Sequence, residues 1–413
     1  MDSRLQRERV VLHCDMNNYF ASVESLYNSK LKTVPAAVCG DPESRHGIVL
    51  ARNYHARRYG IATGESVYTA KAKCPGLLTV TANYNRYIKY TRLSRSIYAR
   101  YSTNITPYGL DEAWVELDPS VGIDGGARIA DEIRHSTQKE LGLTISVGVS
   151  DNFIFSKLGS DIKKPDATTV ISRDNYKSLV WSRPAFELLF VGSVTRSKLY
   201  RMGIISIGDI ATCEPGILTR ALGKRGYMLW EFANGIDSGF CPTITDDNEI
   251  KSIGNTITTP RDIDNNDDIA ALLYIICCGV AKRLDKHGFL ASCVGINIKS
   301  NDFSSFSRRT SLSSAVSSSE VLFDITFRLF RESYDWSKPV RSIGVVTEKL
   351  SGRETEQQCL FPDTCEINPD IMTLVRSLRE RLGKIKLEEC AALNEEVPEI
   401  ENLLVNEYKK GER

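Results

Sequence analysis

Histidine is scarce in this 413-residue chain, with five scattered copies and no metal-ligand spacing among them, and none of its eleven cysteines forms a Cys-x-x-Cys pair. A structural zinc site is therefore not expected. An odd, unspaced set of thiols also argues against a disulfide framework and fits small buried apolar groups in a reducing compartment. Long apolar runs are missing as well: the longest, IAALLYIICCGVA from Ile269 to Ala281, is too short to span a bilayer. The opening MDSRLQRERV is charged and holds no apolar signal segment, so a soluble, cytoplasmic protein with no membrane partner is expected. Charge of one sign is also lacking. The 53 basic and 52 acidic residues leave a net +1, which announces no nucleic-acid partner, although acidic metal ligands and a polar tail can mask a local basic face. With 42% hydrophobic and 25% charged residues, disordered and fibrous classes drop out. The length predicts two to four domains.

Two acidic clusters stand out against this background. Asp15 lies in VVLHCDMNNYFASVE and Asp111-Glu112 in PYGLDEAWVEL, each within a run that reads as a β-strand. Carboxylates among strand residues are expensive to desolvate unless something offsets the charge. A pair of divalent cations does so, and two-metal sites carry phosphoryl transfer with ions roughly 3.5–4 Å apart. Taken singly, each cluster fits an ordinary role equally well, Asp15 as a helix cap and Asp111-Glu112 as the filling of a turn.

VVLHCDM reads as a buried strand, and NNYFASVESLYN turns to helical spacing with Phe20, Val23 and Leu26/Tyr27 on one face. PAAVCG is a further strand, and GIVLARNYHARRYGIATG passes from strand to a small-residue segment rich in arginine and tyrosine. Ile105 to Leu117 predicts a hairpin whose turn holds Asp111-Glu112. GGARIADEIRHSTQKELG is helical and LTISVGVS an alternating strand. Strand, helix, hairpin, helix, strand is a split βαβ order, which predicts an α/β (α+β) sheet of the ferredoxin-like type, interrupted by an insertion between about residues 20 and 80. The strands bearing Asp15 and Asp111 can then be neighbours. Ser172 to Gly239 is all helical, with glycine-centred breaks at VGSVTRSKLYRMGI and ALGKRGYMLWEFANGID. Such loops offer N–H groups to phosphates, and ordinary helix packing accounts for them as well. CPTITDDNEI reads as a linker. From KSIGNTITTPRDI onward, strands alternate with two helices in a second, smaller α/β domain. Beyond Arg353 the pattern degrades into a tail with one or two helices.

Together these motifs resemble the Y-family translesion DNA polymerases of the bacterial polymerase IV type, over roughly residues 9–360. CDMNNYFASVE, LARNYHARRYGI, YGLDEAWVEL, SVGVSDNFIFSKLGSDIKKPD and KSIGNT carry the resemblance, in the family's order and spacing. It implies a palm at 1–19 and 81–172, fingers at 20–80, a helical thumb at 173–242, a linker at 243–250, a DNA-gripping little finger at 251–354 and a tail at 355–413. The implied activity is template-directed, error-prone DNA synthesis without proofreading, by a monomer acting on primer–template DNA and deoxynucleoside triphosphates. Asp15, Asp111 and Glu112 would hold two Mg²⁺ ions, with the backbone carbonyl of Met16 completing one shell. Tyr19, Phe20, Tyr54, Arg57 and Lys164 would contact the nucleotide, Phe20 as the aromatic gate against a ribose 2′-hydroxyl. Lys157 would support either the phosphates or the palm. In the tail, Gln357, Leu360 and Phe361 of QQCLF resemble a sliding-clamp-binding peptide.

Four positions depart from the commonest family pattern. Asn17 replaces a frequent second aspartate, a feature shared with the polymerase V catalytic subunit, and Gly109 replaces a serine before the acidic pair. Ala51 replaces a hydroxyl-bearing residue, and Val194 a glycine of the thumb. Two other readings compete. A nucleotide cyclase also uses a ferredoxin-like palm with two metals, but the thumb-like and little-finger-like segments argue against it. A noncatalytic DNA- and clamp-binding scaffold would not need all three expected metal ligands.

Overall fold

Val10–Met16 forms strand β1, and its alternation organises what surrounds it. Val10, Leu12, Cys14 and Met16 join the largest apolar cluster of the first half of the chain. Val11, His13 and Asp15 therefore face the opposite side of the sheet. The computed structural model describes residues 9–40, 47–237 and 250–352. These fall into two compact units, one ending before residue 245 and one beginning there.

In the first unit β1 leads into helix α1 (Tyr19–Tyr27), then strands β2 (Ala36–Cys39) and β3 (Val49–Arg52) and helices α2 (Tyr54–Arg58) and α3 (Val67–Lys73). Strand β4 (Leu78–Thr81) and helix α4 (Tyr84–Tyr98) return the chain to the large sheet, which continues with β5 (Ile105–Tyr108) and β6 (Glu112–Leu117). Helix α5 (Gly122–Leu141), strand β7 (Ile145–Ser150), helix α6 (Phe153–Ile162) and strand β8 (Thr168–Ile171) complete it. The sheet order is β5-β6-β1-β7-β8, with β1 antiparallel to both neighbours. Its first four strands are the split βαβ arrangement expected from the sequence, and β8 adds a fifth, parallel to β7. Strands β2, β3 and β4 form a separate small sheet whose core runs from Ala37 to Leu77. Helix α1 instead packs Tyr19, Ala21 and Val23 into the cluster of the large sheet.

Helices α7 (Tyr176–Val180), α8 (Ser193–Arg201), α9 (Ile207–Thr212), α10 (Pro215–Leu222) and α11 (Lys224–Ala233) follow, with no strand among them. Ser206 and Asp209 form a reciprocal cap at the start of α9. Their apolar cluster takes in Ile154, Phe155 and Leu158 of α6, so α6 is packed on two sides. On the sheet side it lies so close that a Cβ at Gly148 would overlap Ser156 O and Ser160 N. Only glycine fits there.

The second unit contains strand β9 (Ser252–Ile263), helix α12 (Asn266–His287), strands β10 (Phe289–Ser300) and β11 (Ser305–Val316), helix α13 (Ser319–Ser333) and strand β12 (Val340–Gly352). Its antiparallel sheet has the order β11-β10-β12-β9. Ile257, Val294, Ile296, Ile343 and Val345 bury one face against the two helices. Thr256, Asn297, Lys299, Ser307 and Arg309 are exposed and, by alternation, belong to the other face. No helix among the described residues is long and apolar enough to cross a membrane. Most of the expected linker, the tail and its Gln357, Leu360 and Phe361 lie outside the described residues.

Candidate active site

Strand register brings the two acidic clusters together. The Cα of Asp15 is paired directly with that of Glu112, and on its other side with Ser146. Asp111 precedes Glu112, and its carbonyl accepts from Met16 N–H at 3.1 Å. The sequence expectation of a turn holding both acids needs correction: the turn is Gly109 to Asp111, and Glu112 is already the first residue of β6. The ladder extends that far because Glu112 is paired with both Asp15 and Tyr108.

Helix α4 fixes the turn from behind. Thr91 Oγ1 donates to Leu110 O at 2.7 Å and Arg95 Nη2 to Gly109 O at 2.8 Å. Gly109 has φ +84°, which explains its departure from serine: the left-handed region strains any side chain, whereas the space beside it is adequate.

The close approach of α6 delivers Lys157 and Ser160 to the same face. Lys157 Nζ pairs with Glu112 Oε2 and lies 4.9 Å from the Tyr108 ring centroid. His13 Nδ1 is 2.9 Å from Ser160 Oγ, whose own hydroxyl donates to Lys157 O. The other ring nitrogen, Nε2, lies 3.3 Å from Glu112 Oε2. Burial pulls His13 down to about 4 against the opposing pull of Glu112, so the imidazole is neutral at neutral pH. Burial alone would raise Glu112, but His13 and Lys157 outweigh it and hold the carboxyl down to about 2.

Asp15 behaves in the opposite way. It is 5% exposed, and burial, opposed by Lys164 and reinforced by Glu112, pushes it up to about 7. Burial and Glu112 raise Asp111 also. Lys164 Nζ reaches Asp15 Oδ2 and Asp161 Oδ1, each at 2.6 Å. Two raised carboxyls beside a third, ionised one are what a divalent cation would relieve. Ligand atoms of His13, Asp15 and Glu112 lie within 4.8 Å of one another, close enough for one ion. The sequence reading did not single out His13 as a neighbour of these carboxylates. The signal was present, since His13 lies two residues before Asp15 on the same strand face.

The segment bearing Lys164 is held by Asn17, a residue read from sequence only as a departure. Its amide donates to Ser146 Oγ and accepts from Asp166 N–H, both at 2.9 Å. On the small sheet, Asn53 starts α2 by accepting from Ala56 N–H and Ala36 N–H and donating to Leu31 O and Val34 O. Tyr54 of α2 feels the charges of the site: burial raises its hydroxyl, Lys164 and Arg57 pull it down, and Asp15 pushes it up. Phe20 stacks on Tyr87, with ring centroids 4.1 Å apart. The Tyr19 side chain is buried and donates to Tyr87 O at 2.6 Å, which leaves its backbone for any nucleotide contact. Val194 is 71% exposed, beside a cavity of about 250 Å³ lined also by Phe190, Lys198 and Arg225.

The profile of the impB/mucB/samB family matches residues 14–161, and that of the family's C-terminal domain matches residues 250–360. A DNA polymerase IV of Acetivibrio thermocellus is 45% identical over 91% of this chain and 95% of its own length. The chain belongs to this family. A DNA polymerase IV of Clostridium acetobutylicum is 31% identical over 91% of the chain and 96% of its own. DNA polymerase IV 1 of Bacillus subtilis is 30% identical over 94% of each. The fold is also that of a solved Y-family DNA polymerase chimera, with TM-score 0.71 and 22% identity over 83% of this chain and 99% of that one. Members of such a family use divalent metal, in keeping with the carboxylate cluster of β1 and β6.

Proposed function

We propose that this chain is a template-directed, error-prone DNA polymerase that adds deoxynucleotides to a primer 3′ end and acts in translesion synthesis, without proofreading. The pairing of Asp15 with Glu112 across β1 and β6 carries this reading, with Asp111 adjacent and Lys164 on Asp15, in a chain whose relatives are named DNA polymerase IV.

Asp15, Asp111 and Glu112, with the Met16 carbonyl, are the residues that would hold two Mg²⁺ ions, since magnesium takes oxygen ligands and shares its sphere with substrate phosphates. Bound there, such ions activate the primer hydroxyl and offset the charge of the triphosphate and leaving pyrophosphate. The chain's own residues do the positioning. Tyr54, Arg57 and Lys164 offer the triphosphate a hydroxyl, a planar guanidinium and a compact ammonium. Lys157 keeps Glu112 ionised, and the neutral His13 behind it, tied to Ser160, limits the carboxylate's freedom. The Tyr19 backbone N–H, at the start of α1, would meet a phosphate, and Phe20 would occupy the space of a ribose 2′-hydroxyl. Residues 173–242 act as the thumb and 251–354 as the little finger, both gripping the duplex backbone without reading sequence. Gln357, Leu360 and Phe361 meet a sliding clamp, and the polymerase works as a cytoplasmic monomer.

Primer extension with Mg²⁺ on undamaged and lesion-containing templates tests the reading. Asp111→Ala is expected to abolish extension while duplex binding stays nearly intact. Extension that survives in this variant overturns the metal-ligand assignment. Template-independent release of cyclic nucleotide, with no primer ever extended, overturns the polymerase.

A further inference from the structure

We infer that Glu24 and Tyr87 are positioning residues for sugar selection, an inference that rests on the reading of Phe20 as the ribose gate. Phe20 and Glu24 are four residues apart on α1 and so share one face of the helix. Both meet the same side chain of α4. The Tyr87 ring lies on Phe20 with planes 9° from parallel, and its hydroxyl donates to Glu24 Oε1 at 3.0 Å. Asn83 N–H donates to the same hydroxyl oxygen at 3.1 Å. Glu24 Oε2 accepts from Arg86 Nη1 at 2.6 Å, and the Arg86 guanidinium in turn lies 4.1 Å over the Tyr27 ring. Tyr84 closes the edge of Phe20, centroids 6.0 Å apart at 77°.

A gate that rejects one oxygen atom must hold its ring to within a fraction of an atomic diameter. Stacked aromatic rings slide over one another easily, because offset arrangements are close in energy. Packing alone therefore leaves the Phe20–Tyr87 pair a soft direction in the plane of the rings. The hydrogen bond from the Tyr87 hydroxyl to Glu24 removes it by fixing the far end of the supporting ring. Glu24 itself is 2% exposed, and a buried carboxylate is costly to keep where an apolar side chain could join two helices as well. Arg86 meets that cost, and the two oxygens of Glu24 hold the hydroxyl and the guanidinium at once. The face of α4 that carries Tyr87 carries Thr91 one turn later, where it touches both the Tyr19 hydroxyl, at 2.9 Å, and the turn before Asp111. The gate and the acidic turn are thus referenced to a single helix face.

The test is single-nucleotide incorporation by the full chain with deoxy- and ribonucleotides. Tyr87→Phe keeps the ring and removes the tether, Glu24→Ala removes the anchor, and Glu24→Gln keeps an acceptor for the hydroxyl. Tyr87→Phe and Glu24→Ala are each expected to lower the deoxy-to-ribo ratio of kcat/KM about tenfold, the worth of one hydrogen bond to a charged group. The change should fall mainly on the KM for ribonucleotides. Glu24→Gln should retain most of the wild-type ratio, and the double variant should be no worse than either single one. A wild-type ratio in folded Tyr87→Phe, with Phe20→Ala losing discrimination in parallel, overturns the inference alone. A wild-type ratio in Phe20→Ala overturns the gate reading and the inference with it. Proportional loss toward both sugars, with the ratio kept, reduces Glu24 to a fold-stabilising pair and also overturns the inference.

Discussion

Lys164 Nζ lies 2.6 Å from Asp15 Oδ2, although the two residues are 149 positions apart in the chain. The ammonium is the main charge opposing the buried carboxylate, and it is itself held charged by Asp15 and Asp161 against the effect of burial. On the proposed reading, a cation that neutralised Asp15 would free Lys164 for the phosphate oxygens of the incoming nucleotide. Lys164→Ala should then raise the KM for the incoming nucleotide roughly tenfold to a hundredfold, the range for one charge-assisted hydrogen bond, with kcat less affected. Steady-state incorporation kinetics at saturating Mg²⁺ check this, and an unchanged KM would confine Lys164 to a structural pairing.

The strain on Asp15 has a pH signature. Its pKa in the folded protein, about 7, is above the ordinary value of 3.8. Between those values the folded state holds a proton that the unfolded state has lost, so stability from this group falls as pH rises and is fully lost above about 7. Asp15→Asn should therefore stabilise the metal-free protein at pH 8 by on the order of 2 kcal/mol, or roughly 4–8 °C in Tm. The gain should vanish near pH 4, where both forms are neutral. Thermal melts in chelator at pH 8 and pH 4 measure it; a variant less stable than wild type at pH 8 would refute the argument. Adding Mg²⁺ should raise the Tm of the wild type and leave the Asn variant almost unmoved.

Gly148 permits α6 to lie against β7. Gly148→Ala should push the helix outward and cost about 2–4 kcal/mol of stability, as overpacking does when the obstacle is backbone. Because α6 carries Lys157 and Ser160, the Mg²⁺ concentration needed for half-maximal activity should rise in the same variant. Denaturant melts and a metal titration of activity separate the two effects.

Thr91 spans the Tyr19 hydroxyl and Leu110 O. Thr91→Val preserves its shape and takes this donor away from Leu110 O, while the Tyr19 hydroxyl keeps Tyr87 O as its acceptor; the loss costs about 1–3 kcal/mol. The predicted loss should appear as a raised Mg²⁺ requirement and a lower kcat, because the turn it holds leads directly into Asp111. A variant that loses stability but keeps its wild-type Mg²⁺ dependence would show that the turn is held adequately by Arg95.

Asn17→Asp adds a carboxylate two positions after Asp15. Ser146 can turn its hydroxyl to donate to the new carboxylate, and Asp166 N–H still finds an acceptor, but a further carboxylate at this buried position should cost the metal-free protein more than about 1 kcal/mol. The added negative charge raises the cost of ionising Asp15. Proton release on Mg²⁺ binding, followed by calorimetry in buffers of different ionisation enthalpy, should therefore increase at pH 7.

The local pattern of this chain was enough to determine the elements that matter most. Alternation in VVLHCDM placed Asp15 on a strand face, and helical spacing from Phe20 to Tyr27 placed Phe20 at the start of α1. Helical spacing from Ser172 onward, with no alternating run, foretold the cluster of short helices. These are effects of neighbours in sequence, and periodicity records them. Pairings across the fold leave no such record. That Asp15 meets Glu112 rather than Ala113 follows from strand register, and that Lys157 meets Glu112 follows from how close Gly148 lets α6 approach. The neutrality of His13, the two-ended use of Asn17, and the hold of Glu24 on Tyr87 depend on burial and on partners many positions away. The sequence by itself therefore determined which side chains were available and on which elements, while only the tertiary structure decided which charges lose water together, and that shared desolvation sets the chemistry of the site.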